Sequence, residues 1–150
     1  MTFNWYDYLL YAKEIAGEEI NKDLTFAKYR SAISRAYYAT YNITRLCLEK
    51  HCAIDFGSKK LYSIKKKYKK QDHGIIPILM KTTNVKDIMT SGTKLSNLLS
   101  KRVDADYKSK EIENIESKLR DTIENSEKII SSLELFKSGK ASVNLNSLLK

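Results

Sequence analysis

Proline occurs once and glycine five times among the 150 residues, so little in this chain breaks a helix. Strand-like alternation of apolar and polar residues is nearly absent, which disfavours β-rich folds and leaves an all-α chain without internal repeats. Cysteine is scarce too. Cys47 and Cys52 have no partner His/Cys pair at zinc spacing and read as free cytosolic thiols. No apolar run approaches the roughly eighteen residues of a membrane span. The N-terminal MTFNWYDYLLYAKEIAG carries Asp7 and Glu14 and no basic lead-in, unlike a signal peptide, so a cytoplasmic location is expected. A Gly-rich phosphate loop, a metal-ligand cluster and a Ser-His-Asp trio are all missing, so neither metal nor cofactor is expected. Histidine is limited to His51 and His73, which confines any histidine-dependent chemistry to two candidates.

What is present is an ordinary globular balance, 42% apolar and 30% charged, in a chain long enough for one domain with a real core. The net charge of +9 is concentrated. Residues 1–58 and 109–150 each balance seven Lys/Arg against seven Asp/Glu, while 59–108 hold thirteen against four. A basic block of this kind suits a polyanionic partner, or equally a solvated lysine-rich surface.

Helical periodicity places a first helix over about 4–18 and a long second one over about 24–52. Short helices are expected at 59–70 (KKLYSIKKKYKK) and 73–83, then one over about 94–107. The last, about 110–137, shows an apolar stripe at Ile112, Ile115, Leu119, Ile123, Ser126, Ile130, Leu133 and Leu135/Phe136. Ser109 is its expected N-cap, with Glu111 and Glu113 favouring the helix dipole in the first turn. A loosely ordered tail is expected over 138–150, and one domain over 1–150 with its core at about 4–137. The economical architecture is an up-and-down helical bundle.

The stretch YRSAISRAYYATYN (29–42) packs four tyrosines and two arginines into one helix. Projected at about 100° per residue, Phe26, Tyr29, Ile33, Ala36, Tyr37, Thr40, Ile43, Thr44, Cys47 and Leu48 gather on a core face. Ser31, Arg35, Tyr38, Asn42, Arg45 and Glu49 gather opposite, so adjacent Tyr37 and Tyr38 do different things. An Arg35–Tyr38 stripe could meet phosphates and stack on bases, or bridge to a neighbouring helix or subunit. In LSNLLSKRVDADY, Leu95, Leu98, Leu99, Arg102 and Asp106 fall at i, i+3, i+4, i+7 and i+11. Arg102 and Asp106 thus continue a leucine stripe, where a charge is costly unless paired or set in a cleft. Asp106 lies one turn on and can pair with Arg102. The arrangement is either a structural ion pair or an arginine held ready for an anion.

These segments resemble the HEPN (higher eukaryotes and prokaryotes nucleotide-binding) family. AISRAYYATYN (32–42) is similar to its A-x-S-R-x-Y-Y-A-x-[FY] helix, DHGIIPILMKT (72–82) to its His-Gly segment, and GTKLSNLLSKRVDADY (92–107) to its Leu-x-x-x-Arg-x-x-x-Asp-Tyr segment. The resemblance spans roughly 24–137 and is strongest to small single-domain members encoded beside nucleotidyltransferases or in defence loci. It implies a bundle of about five helices, a homodimer through the long helices, and a cleft between subunits. In nuclease members, an arginine followed a few residues on by a histidine cleaves RNA without metal, the arginine stabilising phosphorane charge and the histidine moving a proton. Here Arg102 takes the arginine position, with Asp106 and Tyr107 completing the candidate catalytic set. Tyr107 stands where the histidine belongs, and tyrosine, titrating near ~10, is a poor base at neutrality. Arg45 and His51 form a similarly spaced pair, but at the end of the second helix.

Two functions from different classes follow. The first is an RNA-directed HEPN protein, a toxin-like endoribonuclease or a non-cleaving RNA binder in a toxin–antitoxin or phage-defence system. Its RNA contacts would be Arg35, Tyr38, Lys65, Lys66, Lys67, Lys69, Lys70 and His73, with Tyr62 and Tyr68 interleaved among the lysines. The second is a non-catalytic interaction module partnering a nucleotidyltransferase or another defence subunit. A bundle sensing a small phosphorylated ligand is a third, weaker option.

Overall fold

A computed structural model describes residues 4–17, 25–108 and 112–150. Every regular element there is a helix: α1 (Tyr6–Gly17), α2 (Thr25–Cys52), α3 (Lys59–Tyr68), α4 (Asp72–Lys81), α5 (Lys86–Tyr107) and α6 (Ile115–Ser132), then single turns α7 (Glu134–Lys137) and α8 (Leu145–Leu148). Six helices of ten residues or more therefore stand where the resemblance implies about five. None among the described residues is long and apolar enough to cross a membrane.

The long α2 is the axis of the bundle and packs against α1, α5 and α6, while α4 packs on α5. Nine of the ten positions expected on its core face are buried, and Phe26, at the exposed start, is the exception at 41%. Thr40 and Thr44 are wholly buried because their hydroxyls donate back to the carbonyls of Ala36 and Thr40 at 2.8 Å. The apolar residues divide into two clusters. One gathers the C-terminal half of α2 with α3, α4, the leucines of α5 and the chain end; the other gathers α1, the N-terminal half of α2, Ala105 and the start of α6. Arg102 lies on α5 between Leu98 of the first cluster and Ala105 of the second.

Several boundaries depart from expectation. The fifth helix begins at Lys86 rather than about 94, because small Ser91 and Gly92 are buried where α4 packs against it. A Cβ on Gly92 would lie 3.0 Å from the Pro77 carbonyl oxygen and 3.3 Å from Met80 Cβ. The sixth helix starts at Ile115, after Asn114 with φ 53°, so Glu113 precedes the helix and Glu116 is the acidic residue of its first turn. The expected cap Ser109 and Glu111, like residues 18 and 24 at two expected helix ends, lie outside the described residues. The chain turns at Leu133, which divides the expected final helix into α6 and α7.

The tail is not loose. Ala141 and Leu148 are buried, Lys60 Nζ donates to Asn146 Oδ1 at 2.6 Å, and the Asn144 amide donates to Thr82 Oγ1 at 2.9 Å. Its closely spaced Val143, Leu145 and Leu148 give it an apolar edge to lay on the first cluster.

Candidate functional site

The site grows from Arg102 outward. Its Nε is 2.9 Å from Asp106 Oδ2, the partner that helical spacing puts one turn away. Its Nη2 donates to the Tyr38 hydroxyl, and its guanidinium carbon sits 4.9 Å from the Tyr38 ring centre and 5.6 Å from that of Tyr107. The Nε–H is buried yet makes no aligned hydrogen bond, so its contact with Asp106 is one of charge and not of direction. The guanidinium is thus held by charge, ring and hydroxyl contacts in a side chain that is only 16% exposed. Asp106 also accepts from Ser34 Oγ at 3.2 Å, which ties the end of α5 to α2.

Tyr38 links Arg102 to His73. The two rings meet edge-on at 6.0 Å, while His73 stacks on Tyr41 at 4.1 Å and on Tyr37 at 5.7 Å. Tyr37 Oη lies 2.7 Å from His73 Nδ1. Burial, Tyr41 and Tyr38 raise the Tyr37 pKa against the opposing charge of Arg102, so this phenol stays protonated at neutral pH. Burial lowers the His73 pKa first, and Arg102 and Arg45 lower it further against the opposing charge of Asp72. With the imidazole neutral, Tyr37 Oη and His73 Nδ1 share one hydrogen bond whose donor follows the ring's tautomer. Pro77, four residues after His73, has no N–H to return to the His73 carbonyl.

A charged layer flanks the rings. Asp72 receives Arg45 Nη1 at 3.1 Å and Lys65 Nζ at 2.9 Å, and Arg45 also pairs with Glu49 and lies 4.7 Å over the Phe56 ring. Between α2 and the start of α4 opens a groove of about 470 Å³ that His73 and Tyr38 share with Trp5, Asn42 and Gln71. No group of three or more His, Cys, Asp or Glu among the described residues is placed to hold a metal.

The expected contact residues separate. Arg102, Asp106, Tyr107, Tyr38 and His73 come together, although Tyr107 is 71% exposed at the edge. Arg35 does not join them. It is exposed and lies 5.0 Å over the Tyr8 ring of α1. The basic run divides as well: Lys65 is held by Asp72, and Lys67 Nζ donates to the carbonyls of Leu148 at 2.8 Å and Lys150 at 2.6 Å. Lys66, Lys69 and Lys70 stay exposed. His51 is exposed at the end of α2, while Arg45 turns towards Asp72.

Sequence reasoning left Tyr37, Tyr41, Arg45 and Asp72 out of the site. Tyr37 and Tyr41 at i, i+4 are a ring pair visible on the wheel; the meeting of α2 with Asp72 and His73 depends on packing alone. Comparison with family models, curated proteins and solved structures finds no match to this chain.

Proposed function

We propose that the chain is an RNA-directed protein of the HEPN type, either cleaving RNA without metal or binding it uncleaved, in a toxin–antitoxin or phage-defence setting. One observation carries the reading. Arg102 lies against two tyrosine rings, largely buried and paired with Asp106, on the segment that resembles the family's Arg-x-x-x-Asp-Tyr pattern. A weakly hydrated, partly desolvated guanidinium is suited to phosphate. In the cleaving form, Arg102 stabilises the charge of the phosphorane and His73 moves the proton, because its lowered pKa keeps a neutral imidazole at pH 7. The reading includes a two-fold dimer that brings two copies of Arg102 to one cleft.

A second reading has support of its own. Val103 and Tyr107, one turn apart on α5, are 41% and 71% exposed, an apolar pair suited to a protein partner such as a nucleotidyltransferase.

Incubating the protein with a panel of structured and single-stranded RNAs in excess chelator tests the proposal. Wild type should cleave or retain RNA, and Arg102→Ala should lose that property while remaining folded. Wild type that neither cleaves nor binds any RNA would leave the interaction module standing in its place.

A further inference from the structure

The groove between α2 and the start of α4 brings together features that one kind of ligand uses at once. Its rings come from Trp5, Tyr38, Tyr41 and His73, and its amides from Asn42 and Gln71. Trp5, Tyr38 and His73 are only half-buried, and the first two present their rings beside the amides. Trp5 is already backed by Tyr8 at 5.4 Å and Tyr38 by Tyr37 at 5.6 Å, so their positions are set before anything enters. Asn42 Nδ2 donates to the Tyr38 carbonyl at 2.8 Å, which fixes the amide, while its Oδ1 has no donor among the described residues. The Gln71 side chain makes no capping bond to α4 and no other hydrogen bond among the described residues. One fixed amide and one free to turn, both beside ring faces, can read the donor and acceptor edge of a planar heterocycle.

Charge adds the third feature. Asp72 and Glu49 balance Arg45 and Lys65 in and beside the groove wall, so the positive charge available to a ligand lies beyond it. Exposed Lys69 and Lys70 precede Gln71 directly, and Arg102 lies beyond Tyr38 on the other side. A ring-stacking, amide-reading slot between cations calls for a ligand with a flat base and phosphates on both sides. The volume of about 470 Å³ is in the usual range of small-ligand sites.

We infer that this groove is a nucleobase slot that takes one unpaired base of an RNA strand, an inference that rests on the RNA-directed function proposed above. The base lies against Trp5 and Tyr38, with Asn42 and Gln71 at its edge. The flanking phosphates run towards Lys69 and Lys70 on one side and Arg102 on the other. Stacking tolerates any base, and the amides add preference among bases.

The single tryptophan reports on the slot directly, since Trp5 is the only one in the chain. The full chain is titrated with a short single-stranded RNA and with an abasic RNA of equal length, following Trp5 emission and, separately, the anisotropy of labelled strands. The base-carrying RNA should quench Trp5 and bind about tenfold more tightly than the abasic strand. Asn42→Ala and Gln71→Ala should each move its affinity towards the abasic value at an unchanged thermal midpoint. Equal binding of the two strands with Trp5 emission unaltered overturns the slot and leaves the RNA-directed function intact. Binding of neither strand overturns that function and the slot with it.

Discussion

Arg102 sits where a leucine would continue the stripe of α5, at the junction of two apolar clusters, and truncating it separates a structural from a chemical role. The side chain of its partner Asp106 is 27% exposed and keeps the Ser34 hydroxyl, so the carboxylate left behind is neither dry nor alone. Arg102→Ala should therefore cost about 1–2 kcal/mol, between an exposed and a fully buried ion pair, and lower the melting temperature by a few degrees. RNA binding or cleavage should vanish at a temperature where circular dichroism still reports a folded helix bundle. Tyr107→Phe keeps the ring near the guanidinium and should change neither property, because the hydroxyl of this exposed tyrosine makes no hydrogen bond among the described residues. His73 carries a separate prediction. Tyr37, Tyr38, Tyr41 and Arg45 of α2, Asp72 of its own helix and Arg102 of α5 surround it, and burial and the two arginines hold its folded pKa below the ordinary value of about 6.5. The folded state thus favours the neutral ring. That contribution is full above about pH 6.5 and is lost as pH falls through the lowered pKa. Thermal melts of wild type and His73→Gln across pH 5 to 8 should show the wild type losing more stability on the acid side. Parallel curves would exclude His73 as the source. If RNA is cleaved, His73→Ala should abolish cleavage and His51→Ala should leave it, since His51 is exposed at the far end of α2.

Among the helices, α3 shows why a basic run is not one site. Its lysines read alike in sequence, yet Lys65 and Lys67 are tied to Asp72 and to the chain end, which leaves Lys66, Lys69 and Lys70 free for phosphates. Replacing these three with glutamine should reduce the log–log salt slope of single-strand RNA binding by about 2 in total, ~0.7 for each phosphate no longer neutralised. Lys67→Gln should instead loosen the chain end and leave the slope alone. An unchanged slope in the triple variant would remove α3 and its C-terminal turn from the RNA surface. The α4–α5 packing gives a stability prediction. Gly92→Ala would press a methyl against the Pro77 carbonyl and Met80, backbone on one side and a wholly buried side chain on the other, at a cost of about 1–3 kcal/mol by denaturant unfolding. The helices themselves are largely legible in the sequence, because the α2 wheel separates Ile33, Tyr37 and Leu48 from Arg35 and Glu49 by periodicity alone. Less legible is the start of α5, where Ser91 and Gly92 are buried for their small size and carry no hydropathic signal. In α6, buried Thr122 likewise gives no apolar signal.

For the molecule as a whole, Arg102 and its pairing partner can be picked out because a charge interrupts a leucine stripe, a local anomaly. The rest of the cluster cannot, since Asp72 and His73 reach α2 only through tertiary packing, and nothing local marks Arg45 as their neighbour. The same packing decides what remains uncovered. Val103 and Tyr107, one turn apart on α5, are exposed. A two-fold axis through this face would bury the same residues on both subunits, with no open edge left to extend the assembly. It would also bring the two Arg102 side chains towards one another, so each must be balanced by its own Asp106 or by a shared anion. The dimer should therefore be seen by light scattering at tens of micromolar and weakened by Val103→Glu, whose charge would meet its copy across the axis. Added RNA or inorganic phosphate should tighten it by neutralising the facing guanidinium groups, most clearly at low salt. A monomer at those concentrations, with and without added anion, would refute the shared cleft and confine the function to what one subunit's Arg102, Tyr38 and His73 can do.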